Sequence, residues 1–214
     1  AKYTLNAPDD FAAGTRASYT ATRYDQFNNL KTALLTIGAK LGDYATGVNP
    51  RGICFDSSTK SVWVANGSGV SKFSASTGAK VGDYTTGANP QGVCFDSSTG
   101  SIWVTNNGFV SKFSASTGAK VGDYATGANP TGVAFDSSTG SIWVANYTDN
   151  NVSKINVSTE VKTDYATGTG PRGICFDSST GSIWAANYGS GNVSKINVST
   201  GAKIDYAAGT NPTD

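Results

Sequence analysis

Histidine and methionine are absent from this 214-residue sequence, and cysteine occurs only three times. Without histidine there is no ordinary general base at neutral pH and no imidazole for a metal. His-dependent triads, His-liganded zinc sites and histidine acid–base chemistry are therefore excluded. Three cysteines are an odd set, too few for a small disulfide scaffold. Charge is scarce as well: charged residues are 14% of the chain, and 16 Lys+Arg against 15 Asp+Glu leave a net charge of +1. That balance supplies no surplus cationic surface for phosphates or anionic lipid, so no nucleic-acid partner is expected. No run approaches the roughly 20 apolar residues that span a bilayer, so no membrane insertion is expected. No charged-then-apolar leader is present, and a start at Ala1 without any Met fits a processed mature form. Mean hydropathy is −0.25, so the polar surface comes mostly from Ser, Thr, Asn and Gly. This composition suits a secreted or cell-surface protein.

What the chain has is repetition. RGICFDSSTKSVWVAN from Arg51, QGVCFDSSTGSIWVTN from Gln91, TGVAFDSSTGSIWVAN from Thr131 and RGICFDSSTGSIWAAN from Arg172 are near-copies. Phe55, Phe95, Phe135 and Phe176 mark the period, as do Trp63, Trp103, Trp143 and Trp184. A spacing of about 40 residues suits either a helical solenoid or a propeller blade. Each unit holds four short β-like runs and no 3.6-residue apolar stripe, so the solenoid drops out. The first two runs are joined by DSST, where Asp bonds the turn backbone. The second and third are joined in the second unit by Asn107-Gly108, a strong hairpin signal. The third and fourth units lengthen this hairpin by two residues, which marks an exposed loop on one rim. Ile102 and Val104 alternate with Trp103, so both faces of that run are apolar, as in sheets sandwiched between neighbours. The pattern predicts an all-β fold, a β-propeller of four clear four-stranded blades.

The stretch NPTGVAFDSSTGSIWVANYTDNNVSKINVSTE from Asn129 resembles the YVTN family of β-propeller repeats, with WVAN or WVTN standing where the family's name motif lies. The resemblance covers about Leu41 to Asp214. It implies the propeller fold and leaves activity open, since propellers host many functions.

Residues 1–37 differ from the rest and read as an assembly or docking segment ahead of a propeller spanning 38–214. FAAGTRASYTATRYDQFNNLKTALLTIG from Phe11 resembles segments found ahead of bacterial and phage surface or tail-fibre proteins. Phe27, Leu30 and Leu34 fall at helical spacing, with Asp25 as a candidate N-cap and Gly38 as a stop. A short N-terminal helix is expected on this reading, and its three apolar residues are the candidate assembly contact. A competing reading aligns Ala21 to Tyr44 without gaps against Ser101 to Tyr124 and makes the region a fifth, degenerate blade. GAKLGDYATG from Gly38 copies a fourth strand without its own first three, which leaves an edge open to pairing with another chain.

Within the repeats, Cys54, Cys94 and Cys175 share one position that Ala134 fills in the third unit, so they read as small buried residues and free thiols. Asp56, Asp96, Asp136 and Asp177 read as turn residues, and the four Trp as interblade packing in preference to sugar platforms. No catalytic residue, metal ligand or cofactor is expected. Asn66, Asn146, Asn151, Asn156, Asn192 and Asn197 each satisfy the N-glycosylation rule. Near-identical copies repeat the same groups, whereas catalysis needs residues in unequal roles. Propeller lyases related to such repeats would call for a histidine. The expected function is an extracellular structural or adhesive subunit of a surface layer, fibre or filament that self-associates. The alternative is a lectin-like module whose partners are glycans or surface proteins.

Overall fold

The computed structural model describes residues 18–24, 30–36 and 41–213, the first two ranges as backbone alone. The chain divides into two units, Ala1–Asp43 and Tyr44–Asp214.

In the first unit, β1 (Ser18–Tyr24) pairs antiparallel with β2 (Leu30–Thr36), from Ser18 opposite Thr36 to Tyr24 opposite Leu30. The expected helix is thereby corrected: Leu30 and Leu34 lie on a strand, while Phe27, Asp25 and Gly38 fall outside the described residues. The cause is legible in the chain. Tyr19, Thr20, Thr22, Tyr24, Thr32 and Thr36 are β-branched or aromatic residues that favour extended backbone, and a helix of the expected length is marginal in water. A hairpin here is what the competing alignment asks of its middle two strands.

The second unit is four four-stranded antiparallel sheets, each in simple sequence order. The first blade is β3 (Ile53–Asp56), β4 (Ser61–Asn66), β5 (Gly69–Ser74) and β6 (Lys80–Tyr84). The second is β7 (Val93–Asp96), β8 (Ser101–Asn106), β9 (Phe109–Ser114) and β10 (Lys120–Ala125). The third is β11 (Pro130–Asp136), β12 (Ser141–Asn146), β13 (Asn151–Asn156) and β14 (Lys162–Ala166). The fourth is β15 (Pro171–Asp177), β16 (Ser182–Asn187), β17 (Asn192–Asn197) and β18 (Lys203–Ala207). Asn106 pairs with Phe109 across Asn107-Gly108, and Gly108 takes φ 78°. Every Asp turn is built alike. The Asp56 carboxylate accepts Ser58 N at 2.9 Å, Ser58 Oγ at 2.6 Å, Thr59 N at 3.2 Å and the Thr59 hydroxyl.

Successive blades meet through two unlike faces. Trp63, Ala65 and Val70 of the first blade form one cluster with Val93, Ile102, Val104 and Phe113 of the second. Cys94, Trp103 and Val110 meet Ile142, Val144 and Ile155, and Trp143, Ala145 and Val152 meet Ile183, Ala185 and Ile196. Alternation along one strand thus feeds two different cores, which is why the middle strands are apolar on both sides. Each Trp also lies against the outer-strand Tyr of its own blade, from Trp103–Tyr124 at 5.0 Å to Trp184–Tyr206 at 5.6 Å between ring centroids. A Lys ammonium also stands over each indole ring, as Lys72 does at 5.1 Å from Trp63. Lys72 Nζ then reaches across to the Ala115 carbonyl at 2.6 Å, and Lys154 Nζ to Val198 at 2.7 Å.

Three junctions join four blades, and two faces are left over among the described residues. At one end Ile53 is 67% exposed, whereas its counterpart Val93 is 7% exposed, while Val64 and Phe73 on the same face as Ile53 are buried. At the other, Trp184 is half-buried while Trp63, Trp103 and Trp143 are fully buried. Trp184 therefore departs from the expected interblade position, and Cys175 is exposed where Cys94 is buried. Leu41–Gly47, expected as a fourth-strand copy, forms no strand. A strand exists only against a ladder partner, and no described strand offers one. Its residues still repeat contacts that a preceding blade would make: the Tyr44 ring lies against Gly78 as the Tyr84 ring lies against Gly118.

Candidate functional site: the axial cavity

The start of each inner strand carries Arg51, Gln91, Thr131 or Arg172 followed by glycine. A Cβ on Gly52 would lie 2.5 Å from the Gln91 carbonyl oxygen, on Gly92 2.6 Å from that of Thr131, and on Gly132 2.4 Å from that of Arg172. Only glycine permits so close an approach. Gly52 N accordingly donates to Gln91 O at 2.8 Å, and Gly173 N to Thr213 O at 2.8 Å. The residue before each glycine is thereby brought to a common cavity of about 560 Å³. Arg51, Gln91, Thr131, Arg172 and Thr213 line it, with Asn129 and Tyr147.

Two arginines line this cavity, and no carboxylate is among its described lining residues. Arg51 Nη1 donates to Asn89 Oδ1 at 2.8 Å. The Arg172 guanidinium is centred 4.0 Å from the Tyr188 ring and 5.0 Å from the Tyr147 ring. Tyr147 and Tyr188 come from the lengthened hairpins of the third and fourth blades. The sequence reading passed over Arg51, Gln91, Thr131 and Arg172 as a set, although a signal was present: R, Q, T and R open four blocks that are otherwise almost the same.

The residues singled out from the sequence serve the scaffold. The turn hydroxyls and backbone amides of Ser58 and Thr59 hold the Asp56 carboxyl below its usual value against the opposing cost of burial, and Ser138 and Thr139 do the same for Asp136. Burial, with Asp56 adding to it, pushes the Cys54 thiol up to about 12. Burial likewise raises Cys94 far above the ordinary range and also raises Cys175. These thiols are protonated at neutral pH, and thiol nucleophilicity resides in the thiolate. No cluster of metal-ligating side chains occurs among the described residues.

The six sequons fall into two kinds. Asn66 Nδ2 donates to Thr46 O at 2.6 Å and to Ser71 Oγ at 2.9 Å, and Asn146 Nδ2 to Asn151 Oδ1 at 2.7 Å and to Ser153 Oγ at 2.8 Å. Both side chains are buried. Asn151, Asn156, Asn192 and Asn197 are half-buried, and each uses its carbonyl oxygen as an acceptor in a hairpin or turn.

No family model matches the sequence, and no curated protein sequence matches it. Among solved structures the chain is similar to Kuenenia stuttgartiensis hydrazine synthase, with TM-score 0.70 and 18% identity over 83% of this chain and 55% of that one. It is similar to U3-55K, with TM-score 0.67 and 11% identity over 76% and 53% of the two chains. The WD40 repeats of RRP9 give 0.67 and 12% over 76% and 52%. The shared feature is the fold. This is a β-propeller fold. The chain spans about half the length of those structures. The YVTN and tail-fibre resemblances rest on the residues quoted for them.

Proposed function

We propose that this propeller is a non-catalytic, extracellular structural or adhesive subunit that self-associates, with the N-terminal segment of a second copy seated against its leftover blade faces. The observation that carries the reading is the pair of complementary faces. The Trp184 side of the fourth blade and the Ile53–Phe55 side of the first are the two halves of the junction formed three times within the chain. Ile53 and Phe55 are 67% and 53% exposed, and apolar surface concentrated at one place marks an interaction site. The β1–β2 hairpin supplies a two-stranded element of the kind that lies in the middle of each blade. A contact that is not its own symmetry mate generates a filament unless the rotation closes a ring. The propeller architecture, widely used as an interaction scaffold, fits a binding role in the same way.

Light scattering of the full chain over a range of concentrations tests this, with negative-stain microscopy of the largest species. The mass is expected to rise with concentration, Phe55→Asp to hold the chain monomeric without lowering its melting temperature, and Cys175 alkylation to slow as assembly covers it. A full chain that stays monomeric throughout overturns the reading.

A further inference from the structure

We propose that the axial cavity binds an acidic sugar, with the carboxylate taken by the guanidinium groups of Arg51 and Arg172. This goes beyond the assembly reading and does not depend on it.

The argument begins with charge. Two cationic side chains line one cavity with no carboxylate among its described lining residues, and a bound anion balances that charge. Arg172 is fixed by the faces of Tyr147 and Tyr188, a contact that occupies the flat of the guanidinium and leaves its N–H edge free. No described residue accepts a hydrogen bond from that edge. Arg51 commits one nitrogen to Asn89 and retains its other donors. A planar carboxylate matches such forks with paired charge-assisted hydrogen bonds.

The rest of the lining sets the body of the ligand. Gln91 and Asn129 offer neutral amides, and Tyr147 a ring with a phenol. These groups suit a body rich in hydroxyls better than an apolar one. A cavity of about 560 Å³ falls within the ordinary size of small-ligand sites and admits a sugar ring or two. These side chains also make polar contacts between blades, as Arg51 does with Asn89 and Thr131 with the Arg172 carbonyl.

Titration calorimetry of the full chain with glucuronic acid tests the proposal, with glucose as the ring without the charge, and acetate and inorganic phosphate as the charge without the ring. Glucuronic acid is expected to bind saturably and about tenfold or more tighter than any of the other three, a factor corresponding to one or two lost hydrogen bonds. Arg172→Gln and Arg51→Gln are each expected to weaken it by about tenfold, and Arg172→Lys to fail to restore it. Arg51 is exposed, so Arg51→Gln keeps its fold even if the Arg172 variants lose theirs. Absence of saturable binding, equal binding of glucose, or unchanged affinity in the Arg51 variant would each overturn the proposal. Equal binding of acetate or phosphate would reduce the cavity to a bare anion site and overturn the sugar assignment.

Discussion

The Tyr124 hydroxyl donates a 2.8 Å hydrogen bond to the Glu160 carboxylate, tying the outer strand of the second blade to a turn of the third. Elsewhere that turn position is Gly78, Gly118 or Gly201, left-handed at φ 71°, 74° and 72° and lying beneath Tyr44, Tyr84 and Tyr165 in turn. Glu160 adopts the same backbone at φ 61°, a conformation that costs an L-residue about 1 kcal/mol.

Glu160→Gly is therefore expected to change stability by less than about 1 kcal/mol, relief of backbone strain offsetting the lost hydrogen bond. Burial and then the Glu160 contact push the Tyr124 phenol up to about 12. In the variant its titration, followed by ultraviolet absorbance, is expected to fall only part of the way toward the ordinary value, because burial remains. Gly118→Ala is expected to cost about 1 kcal/mol from its left-handed backbone, with the end of the Tyr84 ring shifting to make room for the added Cβ.

Trp103 and Trp184 occupy the same repeat position in different surroundings. Trp103→Ala is expected to cost about 3–5 kcal/mol, the range for emptying a filled aromatic site. Trp184→Ala, at a half-buried face, is expected to cost clearly less. Chemical denaturation of both variants at a concentration where the chain is monomeric checks this. Equal losses would mean that Trp184 is covered as fully as its counterparts.

Stability is expected to be flat between about pH 5 and 8, where only histidine ordinarily titrates, because the chain has none. Below that range it is expected to fall. The Asp56, Asp136 and Asp177 carboxyls are held below their ordinary value by turn hydroxyls and amides. A depressed folded-state value contributes stability that is complete above the unfolded carboxyl value of about 4 and is lost as pH falls through the folded one. Thermal melts at pH 7, 5, 3 and 2 should show no change across the first step and successive decreases after it. A transition centred near pH 6 would contradict the account.

The blades were legible in the chain because period, turn chemistry and two-faced apolarity all point the same way, as at Asp96 with Ser98 and Thr99, or at Ile102, Trp103 and Val104. The N-terminal region was not, because Phe27, Leu30 and Leu34 satisfy helical spacing while the threonines and tyrosines around them favour strands. A short segment of that kind is decided by what it packs against. The axial cavity was hidden for a different reason. Arg51 and Arg172 lie 121 positions apart in a linear reading, and only the convergence of inner strands brings them to one space.

Gly52, Gly92 and Gly132 act as a gauge of curvature. The hydrophobic junction between blades is the same at each step and would be satisfied by any number of them, so it carries no information about how many belong to a turn. That information resides where the backbones pinch at the axis. A single methyl group there would wedge two blades apart on the inside while leaving their outer strands free to hinge. The angle between neighbours is thus written in a few glycine hydrogens, and a lineage that duplicates its blades could widen or narrow the fan by altering those positions while every tryptophan stayed in place.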